Sequence, residues 1–172
     1  MSEENVEIVR RAFEAWNQGR AESAKRFWAE DYEYHDPPDF PDPRVVRGRE
    51  AVAAHLKDQT SVLGDLMVTI VDVRARDETV VVRSEGTAHG AESGVEVPAE
   101  ATQVFEVAAG RLQRARMFLT WEEALEAALL SHPALDHGLL RQPSGFEGFG
   151  MALVCPTPDA KTVAVAGEPT IA

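Results

Sequence analysis

The sequence predicts an α+β fold, with helices first and a strongly curved antiparallel sheet packed against them afterwards. Three observations carry this. Apolar residues recur at spacings of three and four near the start of the chain. From Leu66 to Thr120 the composition turns β-branched and aromatic, and Arg76-Asp77-Glu78, Glu92-Ser93-Gly94 and Ala109-Gly110 punctuate it as turns. The two kinds of pattern do not alternate, which separates this class from a wound parallel sheet.

Val6, Val9, Phe13 and Trp16 form one apolar stripe, with Glu7, Arg10, Arg11 and Glu14 opposite, so a helix is expected from Glu3 to Gln18. Gly19 is placed to cap it. Ala21–Ala29 reads as a second short helix burying Ala24, Phe27 and Trp28. A strand follows at Tyr32–Asp36, ended by Pro37, which offers no backbone donor. The four prolines of Pro37–Pro43 make a stiff flap. A third helix is expected from Gly48 or Arg49 to Ser61, with Val52, Leu56 and either His55 or Gln59 facing inward. The strands Leu66–Arg74, Thr79–His89, Val95–Ala108 and Arg111–Thr120 then form an antiparallel meander. Thr120 is a fitting N-cap, with Glu123 at the reciprocal position, for a helix from Trp121 to Ala128.

The chain of 172 residues reads as one domain over residues 1–130 plus a tail, 131–172, expected to be partly disordered and without chemistry of its own. Within the tail only Val163–Ala166 resembles a strand. A net charge of −12 argues against nucleic acid and against anionic membrane surfaces as partners. Cys155 is the single cysteine, so an intrachain disulfide and a cysteine-ligated zinc site are excluded. The acidic start, Met1-Ser2-Glu3-Glu4, does not read as a signal peptide, and a cytoplasmic location is expected. The histidines lack metal-ligand spacing, so no metal or other cofactor is expected.

Candidate site residues cluster around the first strand. Tyr32, Tyr34 and Asp36 share one phase of it, with Glu33 and His35 on the other. Asp36 is either a base in a pocket or a cap for the Pro37-Pro38 turn. His35, on the opposite phase, does not form a dyad with it. Gln103 and Thr120 are polar among apolar neighbours and need partners in the fold or in a ligand. Arg83 and Glu85 read as an ion pair. Trp16, Phe105 and Phe118 are core residues that could also line a pocket. Both faces of the last strand look buried, which points to a partner chain on the outer face.

Four stretches in this order are together similar to a known family: Ile8–Gly19, Tyr34-His35-Asp36-Pro37-Pro38, Arg47-Gly48-Arg49-Glu50-Ala51-Val52, and Phe118–Ala127. They resemble the SnoaL-like branch of the nuclear transport factor 2-like superfamily over residues 1–129. The resemblance implies a cone, a bent sheet around helices with a pocket inside, and a homodimer through the outer sheet face. The acid–base pair of the polyketide cyclases would fall at Gln103 and Thr120, neither of which exchanges a proton at neutral pH. Arg83 and Glu85 could imitate half of an epoxide hydrolase site, but Thr120 replaces its closing aspartate. Asp36-Pro37 stands where the ketosteroid isomerase-like members carry their general base, while their helix tyrosine falls near Ala12, leaving Tyr32 or Tyr34 to substitute.

Two functions follow. One is a binder with an apolar pocket for a small organic molecule, using Trp16, Tyr32, Phe105, Phe118 and Thr120 as ligand contacts. The other is a cofactor-independent isomerase or cyclase with Asp36 as general base, assisted by Tyr34 and Gln103.

Overall fold

A computed structural model describes residues 2–61, 63, 66–91 and 93–131 of the chain. The tail, with Cys155, His132, His137 and the Val163–Ala166 segment, lies outside the described residues.

The first helix, α1, runs Ser2–Ala24 and is kinked rather than ended at Gly19 and Arg20. The left-handed residue is Arg20 (φ 57°), not the expected capping glycine. Gly19 lies beside Ser23, whose Oγ would stand 2.1 Å from a Cβ there unless the serine side chain rotated. A 3₁₀ turn, Lys25–Phe27, leads directly into the strand β1, Trp28–His35. The second helix expected over Ala21–Ala29 is thus absorbed by α1 and β1. Trp28 is a strand residue, its aromatic bulk buried against the sheet's own Tyr32.

A short strand β2, Val45–Arg47, pairs antiparallel with β1 across the proline flap. Gly48, at φ 91°, makes the turn from β2 into α2, Arg49–Gln59, a conformation that favours glycine. Its N–H donates to the Tyr32 carbonyl at 2.9 Å, tying the helix start to β1.

β3 (Met67–Arg76), β4 (Thr79–His89), β5 (Glu96–Ala108) and β6 (Arg111–Phe118) form the antiparallel meander. β1 then joins β6 in parallel, which makes a mixed sheet of order β2-β1-β6-β5-β4-β3. Register shifts interrupt β1–β6, β3–β4 and β5–β6, and such bulges bend strands and raise their twist. α1 packs on the inner face, with Val9 fully buried among Val80, Val82, Phe105, Val107 and Leu112. The last helix, α3 (Trp121–Ser131), lies on the opposite face, where Ala124 and Ala128 cover Val81 and Val104. Its start carries the expected box: the Thr120 N–H donates to Glu123 Oε2 (3.2 Å) and the Glu123 N–H to Thr120 Oγ1 (3.3 Å). The described residues contain no helix long and apolar enough to cross a membrane.

Two polar devices hold the layers in register. Asn17, on α1, donates through Nδ2 to the Val68 carbonyl (2.8 Å) and accepts from the Val68 N–H through Oδ1 (3.0 Å). It satisfies the backbone of edge strand β3 where no neighbouring strand does. On the outer face, Glu33 of β1 binds His35, Arg47 of β2 and Arg114 of β6, and Arg114 continues to Glu106 of β5 at 3.1 Å. The hydrogen bond from His35, and then Arg47 and Arg114, outweigh burial and bring the Glu33 carboxyl down to about 2.

Replacing Asn17 with Ala leaves both Val68 groups without their partner, and urea unfolding at 25 °C is expected to show a loss of about 1–3 kcal/mol. Glu33 supplies a second expectation. A carboxylate whose folded value lies below its ordinary 4.5 contributes stability above that ordinary value. That contribution disappears as pH falls from about 4.5 to 2. Wild-type stability should therefore decline more steeply than that of Glu33→Gln across this interval, with the two curves converging near pH 2. Parallel curves in pH-dependent urea melts would contradict the assignment.

Candidate functional site

Between α1, α2 and the inner face of the sheet lies a cavity of about 170 Å³. Strand alternation decides its walls. On β5, Ala99, Ala101, Gln103 and Phe105 share the inner phase, and on β1 Tyr32 and Tyr34 do the same. α1 contributes Ala12, Phe13 and Trp16, α2 contributes Leu56 and Gln59, and the flap contributes Phe40. The alanines of β5 and α1 are what leave the space open. Phe13 meets Phe105 edge to face at 6.1 Å, and Trp28 stacks on Tyr32 at 4.8 Å and 16°.

The expected site residues divide into three groups by position. Trp16, Tyr32, Tyr34, Gln103 and Phe105 stand on the cavity wall. Phe118 and Thr120 do not. Phe118 is on the other phase of β6 from Met117, which faces the cavity, and it packs beneath α3. Thr120 is exposed and occupied by its capping box. Asp36 is buried at the end of β1 but is not part of the wall.

The surroundings of Asp36 combine both readings of it and add one. Its Oδ2 accepts the Arg44 N–H at 3.1 Å, and its own N–H donates to the Arg44 carbonyl at 3.0 Å, so it does close the proline flap. Its Oδ1 accepts from Gln59 Nε2 at 2.8 Å and pairs with His55 Nε2 at 3.0 Å. A carboxylate–imidazole pair therefore exists, with the histidine supplied by α2 and not by His35. Sequence reading of the strand alone could not find it, because the partner is one helix away. The inward phase of α2, on which either His55 or Gln59 was expected, was its one signal, and both residues meet Asp36.

Tyr34 links this cluster to the cavity. Its ring leans on His55 at 5.9 Å between centroids, and its hydroxyl donates to Met117 Sδ. Burial, then the Asp36 charge, then Tyr32 push its hydroxyl well above the usual tyrosine range. Burial does the same to Tyr32. Both are neutral donors at physiological pH. Arg83 and Glu85 pair at 3.4 Å on the exposed face, as expected of a surface ion pair. No group of three His, Cys, Asp or Glu side chains among the described residues is arranged to hold a metal ion.

A mixed sheet curled over a long helix, with an apolar chamber between them, defines the nuclear transport factor 2-like class of α+β proteins. The SnoaL-like domain model matches residues 9–115, more than half of the chain, and the protein belongs to that family. No curated protein matches it. Among solved structures it is similar to a candidate SnoaL-like polyketide cyclase from Jannaschia sp. CCS1, at 22% identity over 74% of this chain and 92% of that one, with a TM-score of 0.60. Bal32a, from a soil-derived mobile gene cassette, is 24% identical over 73% of this chain and 96% of its own, with a TM-score of 0.59. A nuclear transport factor 2-like protein of unknown function from Burkholderia pseudomallei K96243 is 16% identical over 73% and 97%, with a TM-score of 0.60. At these identities the similarity describes the fold.

Truncating Asp36 to Ala removes the acceptor for Arg44, Gln59 and His55 together. Its unfolding free energy should fall by about 1.5–3 kcal/mol, as for hydrogen bonds to a buried charged group. Asp39→Ala, on the exposed part of the flap, should stay within about 0.5 kcal/mol of wild type. Hydrogen exchange at the Arg44 amide should speed up in Asp36→Ala and not in Asp39→Ala.

Proposed function

We propose that this SnoaL-like domain binds a small organic molecule in the cavity between α1, α2 and the inner face of the sheet. The wall itself carries the reading. Aromatic and aliphatic side chains from α1, β1, α2, β5 and the flap converge on it, with a few polar groups, Tyr32, Gln59 and Gln103 among them. A largely apolar concave site with few convergent polar groups is the usual form of a small-molecule pocket. The Asp36 cluster then acts as scaffolding, fixing Gln59 on the wall and Phe40 at the flap. The reading includes a homodimer through the outer sheet face and a cytoplasmic location. Met67 and Val71 support the first, since both are exposed on the phase of β3 opposite to cavity-lining Val68.

A second reading, the cofactor-independent isomerase or cyclase, is favoured by one arrangement. Asp36 and His55 form a buried carboxylate–imidazole pair, Tyr34 stands with its ring between that pair and the cavity wall, and a pair of this kind can hold a proton. In it Asp36 would act as the base, with Tyr34 and Gln103 as donors to a developing enolate.

Ligand binding is followed by quenching of tryptophan fluorescence, since Trp16 and Trp28 stand in the wall. Ring ketones and related compounds should quench wild type in a saturable manner. Ala101→Phe, which fills the chamber from β5, should weaken the tightest of them by about tenfold or more, as expected when a ligand must compete with a side chain for its space. Turnover that disappears in Asp36→Asn would establish the enzyme. Binding without turnover, equal in both chains, would establish the binder. Sedimentation equilibrium should give twice the chain mass, and a single-chain mass would remove the dimer.

A further inference from the structure

The proposed binding function leaves open which molecules the cavity accepts, and Tyr32 narrows that choice. Its side chain is 2% exposed and forms part of the cavity wall. One face of its ring is taken by Trp28 at 4.8 Å. Its hydroxyl, unlike that of Tyr34, has no hydrogen-bond partner among the described residues. The hydroxyl oxygen is not one of the fully enclosed unpartnered atoms, so it opens onto the cavity, where water or a ligand can meet it. Burial also keeps the Tyr32 proton in place, so the group is a donor.

Size and charge narrow the occupant further. The cavity measures about 170 Å³, and a protein cavity of about 150 Å³ holds benzene. One ring with a small substituent fits within this space, and a larger skeleton would have to extend out through its mouth. Among the described residues no Lys, Arg or His stands on the wall, so an anion would meet no counter-charge from them. Glu100, the charged wall residue among the described residues, is solvent-exposed and offers little to a cation held deeper.

We propose that the cavity takes an uncharged single-ring molecule bearing a hydrogen-bond acceptor, which the Tyr32 hydroxyl binds by donating its proton while the ring lies among Trp16, Phe13 and Phe105. This rests on the cavity being the binding site. The assignment makes Tyr32 a specificity residue: it selects an oxygen-bearing ring over a hydrocarbon of the same shape.

The test uses the full chain and four probes of one size: acetophenone, its hydrocarbon isostere α-methylstyrene, benzoate and phenyltrimethylammonium. Titration calorimetry on wild type and Tyr32→Phe gives the affinities. Tyr32→Phe should weaken acetophenone about three- to tenfold, the range of one neutral hydrogen bond, and α-methylstyrene less than about twofold. Equal losses for the two probes, or no loss for acetophenone, would overturn the assignment. The unaltered chain provides a test that needs no variant: benzoate or phenyltrimethylammonium binding more tightly than acetophenone would overturn the uncharged class. Failure of all four probes to bind wild type would reject the cavity as a binding site, a result distinct from a Tyr32 effect that is absent while binding persists.

Discussion

The buried carboxylate of Asp36 is the constraint on which the inner architecture depends. One side chain holds the end of β1, the far side of the proline flap through Arg44, and two successive inward positions of α2 through His55 and Gln59. Each of those elements adds a piece of the cavity: Tyr34 from β1, Phe40 from the flap, Leu56 and Gln59 from α2. A charge taken out of water requires donors, and these donors come from parts of the chain that sequence separates. Meeting its need for partners is what assembles that end of the chamber.

The other end is set by shape. Register shifts interrupt three of the strand pairings, and such bulges bend strands and raise their twist, which lets the sheet curl over α1. Small residues then decide how much space stays open. Ala12 on α1 and Ala99 and Ala101 on β5 face the chamber, while Val80, Val82 and Val107 fill the core beside it. The same strands close the outer face differently, with α3 over Val81 and Val104 and the Glu33–Arg114–Glu106 chain of charges joining β1, β6 and β5.

Much of this was legible in the sequence wherever a pattern is local. The phase of β1 placed Tyr32 and Tyr34 inside and Glu33 and His35 outside, because alternation follows from strand geometry alone. The Thr120–Glu123 box was readable for the same reason: both partners lie within one helical turn. Gln103 and Phe105 share the inner phase of β5 and stand on the cavity wall. What escaped depends on distance along the chain. The His55–Asp36 pair spans nineteen residues and two elements. β2 has only three residues, too few to show alternation, and it exists because β1 offers an edge across the flap. Spacing reads Trp28 as helical, yet it opens β1 and stacks on Tyr32 of the same strand. Phe118 was expected in the pocket; its phase, opposite to Met117, puts it under α3.

The contrast between the two buried tyrosines bears on what the cavity does. Tyr34 is satisfied by Met117 and backed by His55, so its hydroxyl belongs to the protein's own framework. Tyr32 is just as buried, yet its hydroxyl is not used by the fold. A protein that only needed bulk at this position could have phenylalanine there, without a hydroxyl to satisfy. Asp36 shows the opposite economy: both of its oxygens are engaged by the backbone and side chains that frame the site. The group best placed to meet a ligand is therefore the one the framework leaves unengaged, and the group that looked most catalytic in the sequence is the one the framework needs most. On the proposed binding function, this division assigns recognition to Tyr32 and leaves Asp36 to the framework.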